Sequence, residues 1–169
     1  DYLIGSNRAG LGDGAPTIDA AGKKVIVVGG GDTAMDCART AVRQGATSVT
    51  CLYRRDRANM PGSAREVANA EAEGVTFAWL SAPYGFMGDH AVRSVQVQSM
   101  RLTTPDAAGR QAVEPIDGDH HELAADMVIQ ALGYDADDLP TMFNEPSLTM
   151  TPYGTLGVDA NYQTSLPGV

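Results

Sequence analysis

A run of apolar, mostly β-branched residues, Lys24-Val25-Ile26-Val27-Val28, leads straight into Gly29-Gly30-Gly31 and then into Asp32-Thr33-Ala34 at the head of a helical pattern. An apolar run with no polar alternation suits a parallel strand buried on both faces. From Asp32 to Gln44, Met35, Ala38 and Val42 share one helical face with Ala34, Ala38 and Ala41 beside it, and Gly45 supplies a stop. Ser48 to Leu52 is a second β-branched run. Strand, helix and strand within roughly thirty residues form a compact βαβ crossover, which commits the chain to a parallel sheet.

The pattern then repeats. Ser63-Ala64-Arg65-Glu66 matches a capping box, so a second helix is predicted from there through Val67 and Ala70 to Gly74, followed by a third strand over Val75 to Leu80. Beyond Pro83 the texture changes. Val92 to Met100 alternates in part through Val95 and Val97, and Thr104-Pro105-Asp106-Ala107-Ala108-Gly109 reads as a turn between antiparallel strands, predicting a small meander. Asp126 to Leu132 returns to a buried-strand pattern, expected to rejoin the parallel sheet, and ends at Gly133. Tyr134 to Pro140 reads as an acidic loop, and the residues from Leu148 onward as short strands. The first twenty residues, with Gly5, Gly10, Gly12, Gly14 and Pro16, are expected to have little autonomous structure.

Composition limits the partners. The 169 residues carry 12 Lys and Arg against 21 Asp and Glu, a formal charge of −9, and 43% are hydrophobic. One packed core is affordable at that length. The acidic balance disfavours nucleic acid and anionic membranes, so an anion has to be bound locally. No apolar run approaches the roughly eighteen residues of a membrane span, and the N-terminus lacks a signal-peptide pattern, leading to the expectation of a soluble, cytoplasmic protein. Cys37 and Cys51 lie in apolar periodic segments and are read as buried thiols. The chain starts at Asp1 and stops at Val169 just after Pro167-Gly168, as a piece of a longer protein would.

Gly29 to Ala34 fits G-x-G-x-x-A between a strand and a helix, the context in which that motif marks a dinucleotide site. Gly29 permits the tight turn, Gly31 lets a pyrophosphate approach the backbone, and Ala34 lets helix and strand pack closely. Gly30 completes the turn, and Thr33 offers a hydroxyl. The helix start adds free amides and the positive dipole end. Asp32 is read as a cap or dipole partner of the first turn, although it belongs to the same binding segment. At the end of the second strand stands Arg54-Arg55-Asp56-Arg57, where three of the twelve basic residues fall within four positions. An NAD site places an acidic residue near the ribose 2′-hydroxyl here, whereas arginine suits a 2′-phosphate, so the pattern selects NADP. A solvated charged loop is the competing reading, supported by Asp56. His120-His121, among Asp117, Asp119 and Glu122, lacks the spacing of a metal site, and Trp79 is expected in the core.

Three segments, Gly29-Gly30-Gly31-Asp32-Thr33-Ala34-Met35-Asp36-Cys37, Tyr53-Arg54-Arg55-Asp56 and Asn59-Met60-Pro61-Gly62-Ser63, resemble the NADPH-binding region of the glutamate synthase small (beta) subunit family, flavoproteins with two dinucleotide-binding domains. A weaker similarity covers Ala125 to Tyr134. The resemblance implies an α/β, Rossmann-like three-layer NAD(P)-binding domain with a parallel sheet, helices and a small antiparallel β-meander. It would be one domain over residues 1–169 with a core at about 23–147, and 1–22 and 148–169 would be remnants of the junction with a FAD domain. It further implies NADPH as cofactor, Arg54 and Arg55, with Arg57 beside them, on the 2′-phosphate, and Gly133 near the nicotinamide. FAD and iron–sulfur clusters are expected only in the full-length protein. There the partners would be the FAD domain of the same chain and the glutamate synthase large subunit, which makes glutamate from glutamine and 2-oxoglutarate. An isolated dinucleotide-binding domain without turnover, or the matching module of another NADPH-dependent oxidoreductase, is the alternative.

Overall fold

The computed structural model describes residues 1–12, 14, 18–107, 109 and 111–169. Helix α1 spans Tyr2–Gly10, followed by β1 Lys24–Val28, α2 Asp32–Arg43, β2 Ser48–Tyr53, a 3-10 turn at Arg57–Asn59, α3 Ala64–Ala72 and β3 Thr76–Trp79. The antiparallel strands β4 Ser81–Met87, β5 Ser94–Leu102 and β6 Val113–Ala124 come next, then β7 Met127–Gln130 and the short α4 Leu139–Met142. The chain forms two compact units, Asp1–Leu132 and Gly133–Val169.

In the first unit, β3, β2, β1 and β7 lie in that order in one parallel sheet, and β4, β5 and β6 form a separate antiparallel sheet. The side-chain alternation of β1 explains the layering. Val25 and Val27 face Ala34, Met35, Ala38 and Ala41 of α2, whereas Ile26 and Val28 join Leu52, Val95, Val97 and Ala125 in a second core. Helices therefore cover one face of the parallel sheet and the meander covers the other, which is why β1 could not tolerate a polar residue on either side. The three-layer α/β expectation holds. Two successive crossovers run outward from β1 to β3 and the chain returns on the opposite side of β1 as β7, so the strand order reverses at β1. In open α/β sheets, ligands bind beyond the carboxyl ends of the strands at such a reversal.

Three expectations need correction, and one strand is added to the expected meander. The N-terminal segment is not irregular throughout: α1 is held by Tyr2, whose side chain is buried and whose hydroxyl donates to Gln44 Oε1 at 2.7 Å, while Gln44 Nε2 donates to Ser6 Oγ at 3.2 Å. Gly5 and Gly10 hid this helix from a periodicity argument because tertiary anchoring, not propensity, stabilises it. Ser81 to Met87 is a strand, its Pro83 and Gly85 flanking a register shift against β5. The acidic stretch ends in α4, capped by Asp138, whose carboxylate accepts the Thr141 N–H at 3.3 Å. Past Leu148 no strand forms, only one bridge, Met150 to Leu156. The meander's expected turn includes Ala108, which lies outside the described residues. No helix among the described residues is long and apolar enough to cross a membrane.

Candidate functional site

The glycine turn leaves β1 where the sheet order reverses, and packing dictates its first two residues. Gly29 has φ +144°, and a Cβ there would lie 2.3 Å from the Ala131 carbonyl oxygen, just beyond β7. At Gly30 a Cβ would lie 2.3 Å from the Tyr53 ring. Gly31 differs, since nothing stands within 4 Å of its virtual Cβ. Two of the glycines are thus required by protein neighbours, and the third leaves open space against the backbone, where a bulky anion fits. Ala34, fully buried, lets α2 lie close on β1.

Among the described residues, no hydrogen bond uses the N–H groups of Gly30, Gly31, Asp32 or Thr33. The carbonyls of this turn are used: Gly29 accepts the Cys51 thiol at 3.2 Å, Gly30 accepts the Gly62 N–H at 2.9 Å, and Gly31 accepts Ala34 N–H at 2.9 Å. Donors are left open and acceptors are consumed, which matches an anion site at a helix start. Burial raises the Cys51 thiol to about 12 and the Cys37 thiol to about 11, so both stay protonated, and Cys51 acts as a donor that holds the turn.

In register with β1, β2 places Leu52 beside Val28, so the residues after Tyr53 emerge at the same edge of the sheet as the glycine turn. Arg54 is exposed and Arg55 half-buried. Among the described residues neither guanidinium has a hydrogen bond or an ion pair. Arg57 is different: its fork meets Glu71 of α3 through Nη1–Oε1 at 2.5 Å and Nη2–Oε2 at 2.8 Å. The structure brings Arg54 and Arg55 to the sheet edge with free donors and gives Arg57 to α3. Gly133, with φ +83°, is the first residue of the second unit.

Side chains of the intervening loop secure its shape. Tyr53 donates its hydroxyl to the Asn59 carbonyl at 3.1 Å, and its ring meets Trp79 edge-on at 6.4 Å, Trp79 itself stacking on Phe77 at 4.8 Å. Burial pushes the Tyr53 phenol up against the pull of Arg55 and Arg54, which keeps it a donor. Asp56 Oδ1 accepts the Asn59 N–H at 2.9 Å and caps the 3-10 turn. The capping box is only half made: Ser63 Oγ accepts the Glu66 N–H at 3.2 Å, but Glu66 pairs with Arg39 of α2. Asp32 takes the place of Glu66, its Oδ1 accepting the Ser63 N–H at 3.1 Å. Asp32 is therefore a cap, of the next helix rather than its own. Sequence reasoning did not find Tyr53, Gly62 or Ala131 as parts of this site. All three lie within segments that carry the family resemblance, but nothing in the sequence gives them a place beside the glycine turn.

Residues 6–169 match the model of the pyridine nucleotide-disulphide oxidoreductase family. The chain is 60% identical over 171 residues to a Cereibacter sphaeroides protein provisionally named glutamate synthase (NADPH) small chain, covering 99% of this chain and 41% of that protein. It is 54% identical over 175 residues to the glutamate synthase (NADPH) small chain of Azospirillum brasilense, covering 100% of this chain and 36% of the relative. The chain thus spans about two fifths of the length of these relatives. Among solved structures, FprA of Mycobacterium tuberculosis in complex with NADPH aligns at a TM-score of 0.59 and 19% identity, over 79% of this chain and 42% of that one, a likeness of fold.

Proposed function

The chain belongs to the pyridine nucleotide-disulphide oxidoreductase family, and from that premise we propose that it is the NADPH-binding module of a glutamate synthase small subunit. The observation that carries this reading is the pair of unpartnered guanidiniums of Arg54 and Arg55, at the same sheet edge as a glycine turn with open amides. A 2′-phosphate needs charge-assisted donors, which this pair supplies, and a pyrophosphate needs backbone donors, which Gly30 to Thr33 supply. Gly31 allows the approach, Thr33 offers an exposed hydroxyl at the helix start, and Gly133 is assigned to the nicotinamide end. Arg57, already paired to Glu71, shapes the loop.

When bound, NADPH supplies a hydride for a flavin. In this reading the described residues supply no acid or base; their contribution is to bind, orient and select the dinucleotide. The relatives are named as NADPH-dependent glutamate synthase small chains, which supports a large-chain partner. To this the proposal adds a FAD domain in the same longer protein, iron–sulfur clusters beyond it, formation of glutamate from glutamine and 2-oxoglutarate by the large subunit, and a cytoplasmic location.

The test is NADPH oxidation with an artificial electron acceptor. The chain alone is expected to show no appreciable turnover, and the flavin-bearing remainder of its parent protein should restore it with NADPH but poorly with NADH. Turnover by the chain alone, or equal use of the two dinucleotides, would contradict the reading.

A further inference from the structure

We propose that Asp32 is a positioning residue for cofactor selection: its carboxylate fastens the loop that carries Arg54 and Arg55 to the turn that receives the pyrophosphate. This rests on the NADPH reading above. A carboxylate at the head of α2 is a poor phosphate neighbour, so its presence there needs a reason. The structure supplies one in Ser63, whose N–H donates to Asp32 Oδ1 at 3.1 Å. That amide is the one a complete capping box would give to Glu66, which instead pairs with Arg39. The neighbouring amide, Gly62 N–H, donates to the Gly30 carbonyl at 2.9 Å. Two consecutive amides at the far end of the 54–63 loop are thereby fixed to the glycine turn.

The near end of the loop is fixed by strand pairing of β2 with β1, and its middle by Tyr53 on the Asn59 carbonyl and by Asp56 on the Asn59 amide. With both ends held against one turn, the two guanidiniums and the open amides keep one separation, set for the two anionic groups of a single dinucleotide. Releasing the Asp32 tie would leave a loop that must be ordered on binding. Only a ligand with a 2′-phosphate draws on the arginines, so the loss falls on NADPH and spares NADH.

Comparing Asp32→Asn with Asp32→Ala isolates the tie, because both remove the charge and only asparagine keeps an acceptor oxygen. The readouts are the ratio of NADPH to NADH affinity by calorimetry and the amide exchange rate at Ser63. Asp32→Asn should hold the ratio within about twofold, and Asp32→Ala should lower it roughly fivefold, through NADPH, with faster exchange at Ser63. Gly62→Ala is a second route to the same state, since its Cβ would stand 3.0 Å from the Gly30 oxygen, and it should lower the ratio likewise. If Asp32→Ala does not fold, Gly62→Ala carries the test through both readouts: faster exchange at Ser63 with a lowered ratio supports the tie, and faster exchange with an unchanged ratio overturns it. Equal ratios in Asp32→Ala and Asp32→Asn, with Ser63 exchange accelerated, would overturn the positioning role while leaving the NADPH reading intact. An unaltered chain without preference for NADPH would overturn that reading and this proposal with it.

Discussion

The turn after β1 presents backbone to a ligand, whereas the loop after β2 presents side chains, and different forces hold the two in place. Gly29 and Gly30 are fixed by steric contact with Ala131 and Tyr53, with no room for a methyl group. The 54–63 loop is fixed by hydrogen bonds to its own residues and to the glycine turn, with Arg57 paired to Glu71 and the guanidiniums of Arg54 and Arg55 left without a partner among the described residues. A sterically fixed element fails abruptly when altered, and a polar loop fails in proportion to the bonds removed.

The largest effect should come from the steric side. Gly29→Ala forces a Cβ onto backbone at φ +144°, so strain and overpacking together should destabilise the fold by about 2–6 kcal/mol, read from denaturant unfolding. A loss below about 1 kcal/mol would show the turn to be adaptable rather than jammed. Next, replacing Arg54 and Arg55 together by Ala should weaken NADPH binding by about 2–5 kcal/mol through two lost charge-assisted contacts, with little effect on NADH or on stability. Equal loss for both dinucleotides would place the arginines outside the 2′-phosphate site.

A smaller effect is expected at the joint between the two regions. Ser63→Ala removes the acceptor for the Glu66 amide and should cost about 1 kcal/mol in unfolding free energy. The smallest concerns the charges behind the site. Hydrogen bonds from Arg43 and Arg39 hold Glu73 below the ordinary carboxylate range, and Arg57 does the same for Glu71. A carboxylate depressed in the folded state contributes stability that is complete above its unfolded pKa, near 4.3 for glutamate, and is lost as pH falls through the folded value. Acidification from about pH 6 to about pH 3 should therefore destabilise the chain, and Glu73→Gln should flatten that slope slightly, because the pairs lie at the surface, half-buried and partly screened. A steeper slope in the variant would reverse the sign assigned to Glu73.

The sequence exposes the backbone half of the site far better than the side-chain half. A strand read from Val25 to Val28, three glycines and a helix from Asp32 are local signals, each with its own physical cause, and β1, the turn and α2 form where the pattern places them. That both faces of β1 are covered was legible too, because β1 is apolar on both; that helices take one face and the meander the other is what the structure adds. What local signals cannot carry is who pays attention to whom across the chain: that Tyr53 covers Gly30, that Glu66 turns to Arg39 and leaves the Ser63 amide to Asp32, or that Arg57 pairs with Glu71. The three arginines are equivalent in a list of residues and unequal once α3 supplies a carboxylate to one of them. Helix α1 was hidden for the same reason, since Tyr2 and Gln44 lie 42 positions apart.

Calorimetric titration of the chain with NADPH and, separately, with NADH, at low and moderate salt, tests the central claim most directly. Binding of NADPH in clear preference to NADH, with the preference shrinking as salt screens the two guanidiniums, is the expected result. Equal affinity for the two dinucleotides, or none for either, would contradict a site assembled from the glycine turn and the free arginine pair.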